Sequence, residues 1–295
     1  MSQRGWLITH KNCLDGATAG VIGEQSGLIP IFVEPDRVLD GIETITGDRP
    51  IYLADVSLKP AQYARVRTRI TQLLDHHQSA LPLSPYANVH IDLTKAGSHL
   101  LYDFAVQQGW ITASEQWNRL IRAVERYDLW KPCHESGQNL NRLFHTLGYS
   151  WYKERYKDGW TPYVANEQTL LANLLLDEKL YIKKQLGHAV KILSPLPVAA
   201  IALTEEGATN EIAHTLLSQG MALVVFLKPD GRLSARSDTR VDAALLMEEL
   251  FAGGGHARAA GGRLDHPGPY DQQTVQAVLQ RIASYLQPNA QPPLK

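Results

Sequence analysis

The chain has 295 residues, 44% of them hydrophobic, which fits two domains of ordinary size or one large one. Its 29 Lys+Arg and 30 Asp+Glu give a net charge of −1, which excludes the global basic field that drives tight non-specific duplex binding. Two cysteines, Cys13 and Cys133, exclude a disulfide framework or a Cys-based zinc module, and without an apolar signal core or a run of transmembrane length the expected location is cytoplasmic.

In chain order, an apolar run over 6–9 ends at His10, and 16–22 (GATAGVI) is small and apolar enough for a helix packed closely on a sheet. Residues 29–33 and 51–54 read as strands, the second ending at Asp55. Residues 60–70 have helical spacing, with Pro60 at an opening position where it is tolerated. Leu73 and Leu74 lead into Asp75-His76-His77. Residues 98–107 and 114–126 read as helices, with Ser98 and Ser114 as N-caps. Residues 151–159 are aromatic and charged with no clear core face, and 167–191 gives a long helical pattern. Alternation then restarts: a strand over 198–203, a helix over 210–217 and a strand over 222–227. A hairpin partner over 232–236 follows the turn Pro229-Asp230-Gly231, then a helix over 241–251 and the run Gly253-Gly254-Gly255-His256. The Pro-rich end, 286–295, is expected to be disordered.

Strands alternating with helices predict an α/β fold, a parallel sheet with helices on both faces, in which ligands sit beyond the carboxyl ends of the strands. His10, Asp55 and Asp75 to His77 fall at such ends, and Asp15 and Asp128 also lie near the ends of apolar runs. Carboxylates and imidazoles at strand tips are poor core material and good ligands for divalent cations. This distribution predicts a metal centre assembled from several strand tips. The bland alternatives are polar strand ends, a helix cap at Asp55, a core histidine at His10 and a small buried hydrophobe at Cys13.

Asp75-His76-His77 together with GGGHARAAGG over 253–262 resembles the DHH/DHHA1 phosphoesterases, a family that includes oligoribonucleases, phosphoadenosine phosphatases and cyclic-dinucleotide phosphodiesterases. The resemblance rests on an ordered set: ITHKNCLDG, YLADVS, LLDHHQS, RYDLW, SARS and GGGH. It implies an N-terminal parallel-sheet DHH domain (1–150) and a helical connector (151–192). A smaller α/β DHHA1 domain (193–285) follows, with the active site in the cleft between the domains. It further implies divalent metal, usually manganese, as one or two ions. Asp55 would bridge them, Asp15, His76 and Asp128 would complete one site, and His10 would belong to the other.

The first motif departs from the family's D-x-D: Cys13 stands at the first Asp position, Asn12 precedes it, and the spacing from His10 is one residue shorter. Cys13 as a thiolate or Asn12 through its carbonyl are both open as the replacement. The resemblance also implies that His77 faces the substrate phosphate; it would bond a phosphoryl oxygen or protonate the leaving group. Asp75 would then orient an imidazole.

In the second half, Gly253, Gly254 and Gly255 would let backbone amides form an anion nest. His256 and Arg258 would add donors, and Arg236, between Ser234 and Ser237, offers a planar fork suited to phosphate. The expected activity is metal-dependent hydrolysis of phosphodiesters or phosphomonoesters, in short oligonucleotides or small nucleotides. Two alternatives follow: a nucleotide-binding or sensing protein with weak or no turnover, and a polyphosphate or pyrophosphate hydrolase. The expected partner is a small nucleotide or short single-stranded oligonucleotide, without duplex-specific or membrane binding, and the aromatic middle segment suits a homodimer.

Overall fold

The computed structural model describes residues 4–129, 131, 135–205 and 207–287. Cys133, Trp130 and the expected disordered stretch beyond residue 287 lie outside them. The contacts divide the chain into two units, residues 1–172 and 173–295.

The first unit begins β1 (Gly5–His10), α1 (Leu14–Gln25), β2 (Leu28–Val33), α2 (Val38–Thr44), β3 (Ile51–Ala54), α3 (Pro60–Val66), β4 (Ile70–Asp75) and β5 (Val89–Ile91). It continues with α4 (Gly97–Gln107), α5 (Glu115–Asp128) and α6 (Glu135–Tyr156), the last broken at Gly148, where φ is 80°. The five strands are all parallel, in the order β2-β1-β3-β4-β5.

Side chains alternate across the sheet, so neighbours on one strand enter different cores. Leu7 and Leu74 pack under α1, α4, α5 and α6, while Ile8, Leu53 and Leu73 pack under α2 and α3. Burying each such side chain contributes roughly 1.5–3 kcal/mol. The order turns around at β1: β2 lies on one side of it and β3 on the other. In parallel sheets such a turning point is where ligands bind, here beyond the carboxyl ends of β1 and β3.

Three local expectations differ. The helix over 60–70 stops at Val66, because Ile70, Leu73 and Leu74 are buried as strand residues of β4. Residues 151–159 do have a core face: Tyr152 and Tyr156 are fully buried, and Trp160 joins them in the first core. Ser98 does not cap α4, whose N-cap is Ala96; Ser114 does cap α5, accepting from the Trp117 amide.

Helix α7 (Ala165–Leu186) carries the division between the units. It is shorter than the helical pattern over 167–191, because Gly187 follows it and Val190 and Ile192 sit in a strand. The second unit then runs β6 (Val190–Ile192), β7 (Val198–Ala202), α8 (Thr209–Ser218), β8 (Leu223–Leu227), β9 (Arg232–Ser237), α9 (Ala243–Phe251), β10 (Gly254–His256), β11 (Ala259–Arg263) and α10 (Gln272–Tyr285). Its mixed sheet has the order β10-β11-β9-β8-β7-β6. Helices α9 and α10 cover one face and α8 the other. Leu286, expected in the tail, is buried in this core.

Candidate metal centre

The carboxyl ends of β1, β3 and β4 deliver His10, Asp55 and Asp75, with His76 and His77 following at once. The backbone of Asp55 is left-handed, with φ 61°. A non-glycine residue reaches that region at a cost, and such strain concentrates at functional sites. The start of α4 presses against this turn: a Cβ on Gly97 would lie 2.6 Å from both Cα and Cβ of Asp55. Gly16 plays the same part for α1, since a Cβ there would lie 2.1 Å from the carbonyl oxygen of His10. Two glycines thus let two helices close on the strand tips.

Three of the expected ligands surround the imidazole nitrogen of a fourth, His76. His76 Nε2 lies 3.1 Å from Asp55 Oδ1, 3.6 Å from Asp128 Oδ2 and 3.8 Å from Asp15 Oδ2. On the other oxygen of Asp55, Oδ2, His10 Nδ1 approaches to 3.7 Å. Donor atoms of Asp15, His76 and Asp128 lie within 4.8 Å of one another, and so do those of His10, Cys13 and Asp55. Asp55 belongs to the second grouping and also reaches His76 of the first, at 3.1 Å. Asp128 comes from the last turn of α5 and Asp15 from the first turn of α1.

Asp15 is held by the first turn of α4. The Gly97 amide donates to its Oδ2 at 2.7 Å, the Ser98 amide to its Oδ1 at 3.0 Å, and the Ser98 hydroxyl also donates to Oδ1. This clamp was not read from the sequence, where a serine opening a helix looks like a cap. Asp75, fully buried, holds the next pair: its Oδ1 accepts from the His76 amide at 2.8 Å and meets His77 Nδ1 at 2.7 Å.

The electrostatics follow from burial and crowding. Burial raises the pKa of Asp15 well above the usual carboxylate value, and the charges of Asp55 and Asp128 add to it. Asp128 is raised by burial and by Asp55, against the pull of His76. Burial also works against charge on Asp55, yet His10 and His76 override it and hold that carboxyl far below its ordinary range. Burial favours a neutral His76, but Asp128, Asp55 and Asp15 outweigh it and raise the imidazole well above 6.5. His10 is raised in the same way, with Asp55 outweighing burial. Burial pushes the Cys13 thiol up, and the three neighbouring aspartates push it further. Asp75 is lowered: His77 overcomes the burial cost.

Three carboxylates packed around two imidazoles cost free energy unless positive charge balances them. Buried Asp55 Oδ2 and Asp128 Oδ2 have no hydrogen-bond partner. This donor set, with its unsatisfied oxygens, fits divalent cations.

The expected substrate-binding residues all lie in the second unit. Ser234 and Arg236 share one face of β9. Arg236 Nε donates to Asn210 Oδ1 at 3.0 Å, and its Nη1 donates to the Ala235 carbonyl at 2.8 Å. Ser237 points to the opposite, buried face, where its hydroxyl bonds the carbonyls of Val241 at 2.8 Å and Ala257 at 2.9 Å. Arg258 Nη1 donates to the carbonyl of Asp238. Ser237 and Arg258 thus brace the turn between β9 and α9.

The glycine run is not an open loop. Gly254 to His256 pair antiparallel with Ala259 to Gly261, and a Cβ on Gly253 would lie 1.8 Å from the Gly261 carbonyl oxygen. Gly255 has φ 138°, and a Cβ there would also meet the Ala259 carbonyl oxygen. Close backbone packing of this hairpin accounts for the glycines.

Residues 193–287 match the family model of the DHHA1 domain. No curated protein sequence matches the chain. Solved structures align over nearly all of it at low identity, which marks a shared fold. A DHH domain from a member of a family of ribosomal proteins is 14% identical at TM-score 0.67, covering 96% of this chain and 87% of its own. The pGpG-specific phosphodiesterase PggH from Vibrio cholerae is 14% identical at TM-score 0.58, covering 96% and 98%. RecJ from Thermus thermophilus, in complex with Mn2+, is 17% identical at TM-score 0.55; the alignment covers 96% of this chain and 52% of RecJ.

Proposed function

From this DHH/DHHA1 architecture we infer that the chain is a metal-dependent phosphohydrolase, acting on phosphoester bonds of small nucleotides or short single-stranded oligonucleotides. The observation that carries the reading is the meeting of Asp15, Asp55 and Asp128 around His76, with His10 on the other oxygen of Asp55 and buried carboxylate oxygens left unsatisfied. The DHHA1 match and the Mn2+-bound structural relative support it.

Asp55, Asp15, Asp128, His76 and His10 are the residues that would hold the ions. Divalent ions in such a site lower the pKa of bound water to roughly 7 and neutralise phosphoryl charge. The remaining work falls to the chain. Asp75, its pKa held low by His77, meets Nδ1 of that ring and fixes its orientation, so His77 acts on substrate through Nε2. With a proton on Nε2, His77 would donate it to a phosphoryl oxygen as a hydrogen bond or to the leaving oxygen as an acid. Ser234 and Arg236 are the proposed anion donors of the second unit; Ser237 and Arg258 have structural work of their own.

The test is hydrolysis of a panel containing a dinucleotide, a trinucleotide, a nucleotide phosphomonoester and pyrophosphate, with Mn2+ supplied. Asp55→Ala is expected to lower turnover roughly a thousandfold, ~4 kcal/mol of transition-state stabilisation. Equal turnover by wild type and variant rejects the assigned centre. A second reading, nucleotide binding without turnover, is favoured by one observation of the sequence: Cys13 stands where the motif of the family it resembles has its first Asp. Calorimetric binding with no product under manganese, cobalt or zinc would select it.

A further inference from the structure

We propose that Cys13 is a thiolate metal ligand, and that the grouping of His10, Cys13 and Asp55 takes a thiophilic divalent ion of the zinc, cobalt or ferrous class in preference to manganese. The inference deepens the reading above and rests on it in one respect only, that His10 and Asp55 hold an ion.

The first ground is geometry. His10, Cys13 and Asp55 present one nitrogen, one sulfur and one oxygen within 4.8 Å of one another, and His10 Nδ1 stands 3.7 Å from Asp55 Oδ2. Donors about 2.0–2.3 Å from a tetrahedral ion lie roughly 3.3–3.7 Å apart, so one ion needs only small adjustments here. The second ground is independent of the cysteine. Asp55 is 2% exposed, and its Oδ2, the oxygen facing His10, accepts no hydrogen bond. A buried carboxylate oxygen left so calls for a partner, and a cation shared with His10 and Cys13 supplies one.

The local backbone is built for this placement. Asn12 adopts φ 55°, and Cys13 is extended at φ −124°, ψ 141° as the residue before α1. That turn follows His10 directly, and Gly16 lets α1 start against the His10 carbonyl.

The bland reading of Cys13 fits less well. As an N-cap it makes no side-chain hydrogen bond to the helix. As a small hydrophobe it belongs to neither apolar cluster of its unit. Replacing a hard oxygen donor by sulfur moves a site's preference toward softer cations. Coordination exchanges the S–H bond for an S–metal bond and releases the thiol proton to solvent, with no change of oxidation state.

The test uses the full-length protein, stripped of metal and titrated with Co2+. Wild type and Cys133→Ser are expected to develop the near-ultraviolet charge-transfer absorption of a thiolate on cobalt. Cys13→Ser is expected to lose that absorption, and its zinc affinity to fall at least about tenfold. Cys13→Asp, circular dichroism of which checks folding, is expected to bind Mn2+ more tightly than wild type and to show no such absorption. Cobalt bound by the wild type without the band, or a band that survives in Cys13→Ser, overturns the inference. If the wild type binds cobalt without the band and still hydrolyses a dinucleotide, the phosphohydrolase reading stands while this one falls. Failure of the wild type to bind cobalt, zinc or manganese defeats both.

Discussion

Asp55 shows how much a single residue carries at this centre. Its carboxylate touches His76 on one oxygen and His10 on the other, and its backbone sits at φ 61° against Gly97. Asp55→Asn keeps the shape and removes the charge, so metal stoichiometry should fall while the folded state survives; elemental analysis of the purified variant checks it. Gly97→Ala acts from the other side of the contact. With a Cβ 2.6 Å from Asp55, overpacking should cost about 1–3 kcal/mol in denaturant unfolding and disturb metal binding together. At this scale the sequence was informative about which polar side chains stand at strand tips and uninformative about their supports. Asp75, His76 and Asp55 follow apolar runs and announce strand tips. Ser98 is a serine at a helix start, and only the fold reveals that its hydroxyl turns to Asp15, 83 positions away in sequence. Substituting Ser98 by alanine removes one of three donors to Asp15. The expected loss is about 10- to 100-fold in metal affinity, read by titration with a chromophoric competitor.

Among elements, α4 and α5 must keep their mutual position, because one clamps Asp15 and the other ends on Asp128. A polar network joins them: His99 Nδ1 on α4 bonds Glu125 on α5, and Lys131 Nζ reaches the same carboxylate at 2.7 Å. Burial works against the ionised Glu125, but His99 and Lys131 outweigh it and lower its pKa from 4.5 to about 2. The stabilisation is therefore present above pH 4.5 and is lost as pH falls toward 2. Glu125→Gln should flatten that part of the stability profile and lower stability at neutral pH by roughly 1–3 kcal/mol, measured by thermal unfolding across pH. Elements with a strong period or strong punctuation were legible: β1, β3, the turn into β9 and the cap of α5. Short or interrupted ones were not. Strands β5 and β6 have three residues each, too few for alternation to register, and β6 continues a helical pattern past Gly187. Helix α6 is interrupted at Gly148, and its buried tyrosines alternate with charges, so the core face over 152–160 was hidden.

For the whole molecule, there are two units with separate cores, and every side chain assigned to the metal centre belongs to the first. A fragment ending at residue 187, after the complete α7, should bind the same number of ions as the intact chain, as elemental analysis would show. The bipartite plan was readable because hydrophobic alternation pauses through the long helical stretch and resumes near residue 198. The precise division was less readable, since α7 is one continuous helix across it. No helix among the described residues is long and apolar enough to cross a membrane.

The amide cradle around Asp15 also bears on how fast the centre fills and empties. Because Gly97 and Ser98 fix both carboxylate oxygens before any ion arrives, the entropic cost of ordering that side chain has already been met during folding. Cation exchange should then proceed on a rigid berth, and deuterium uptake at those two amides should be equally slow before and after loading.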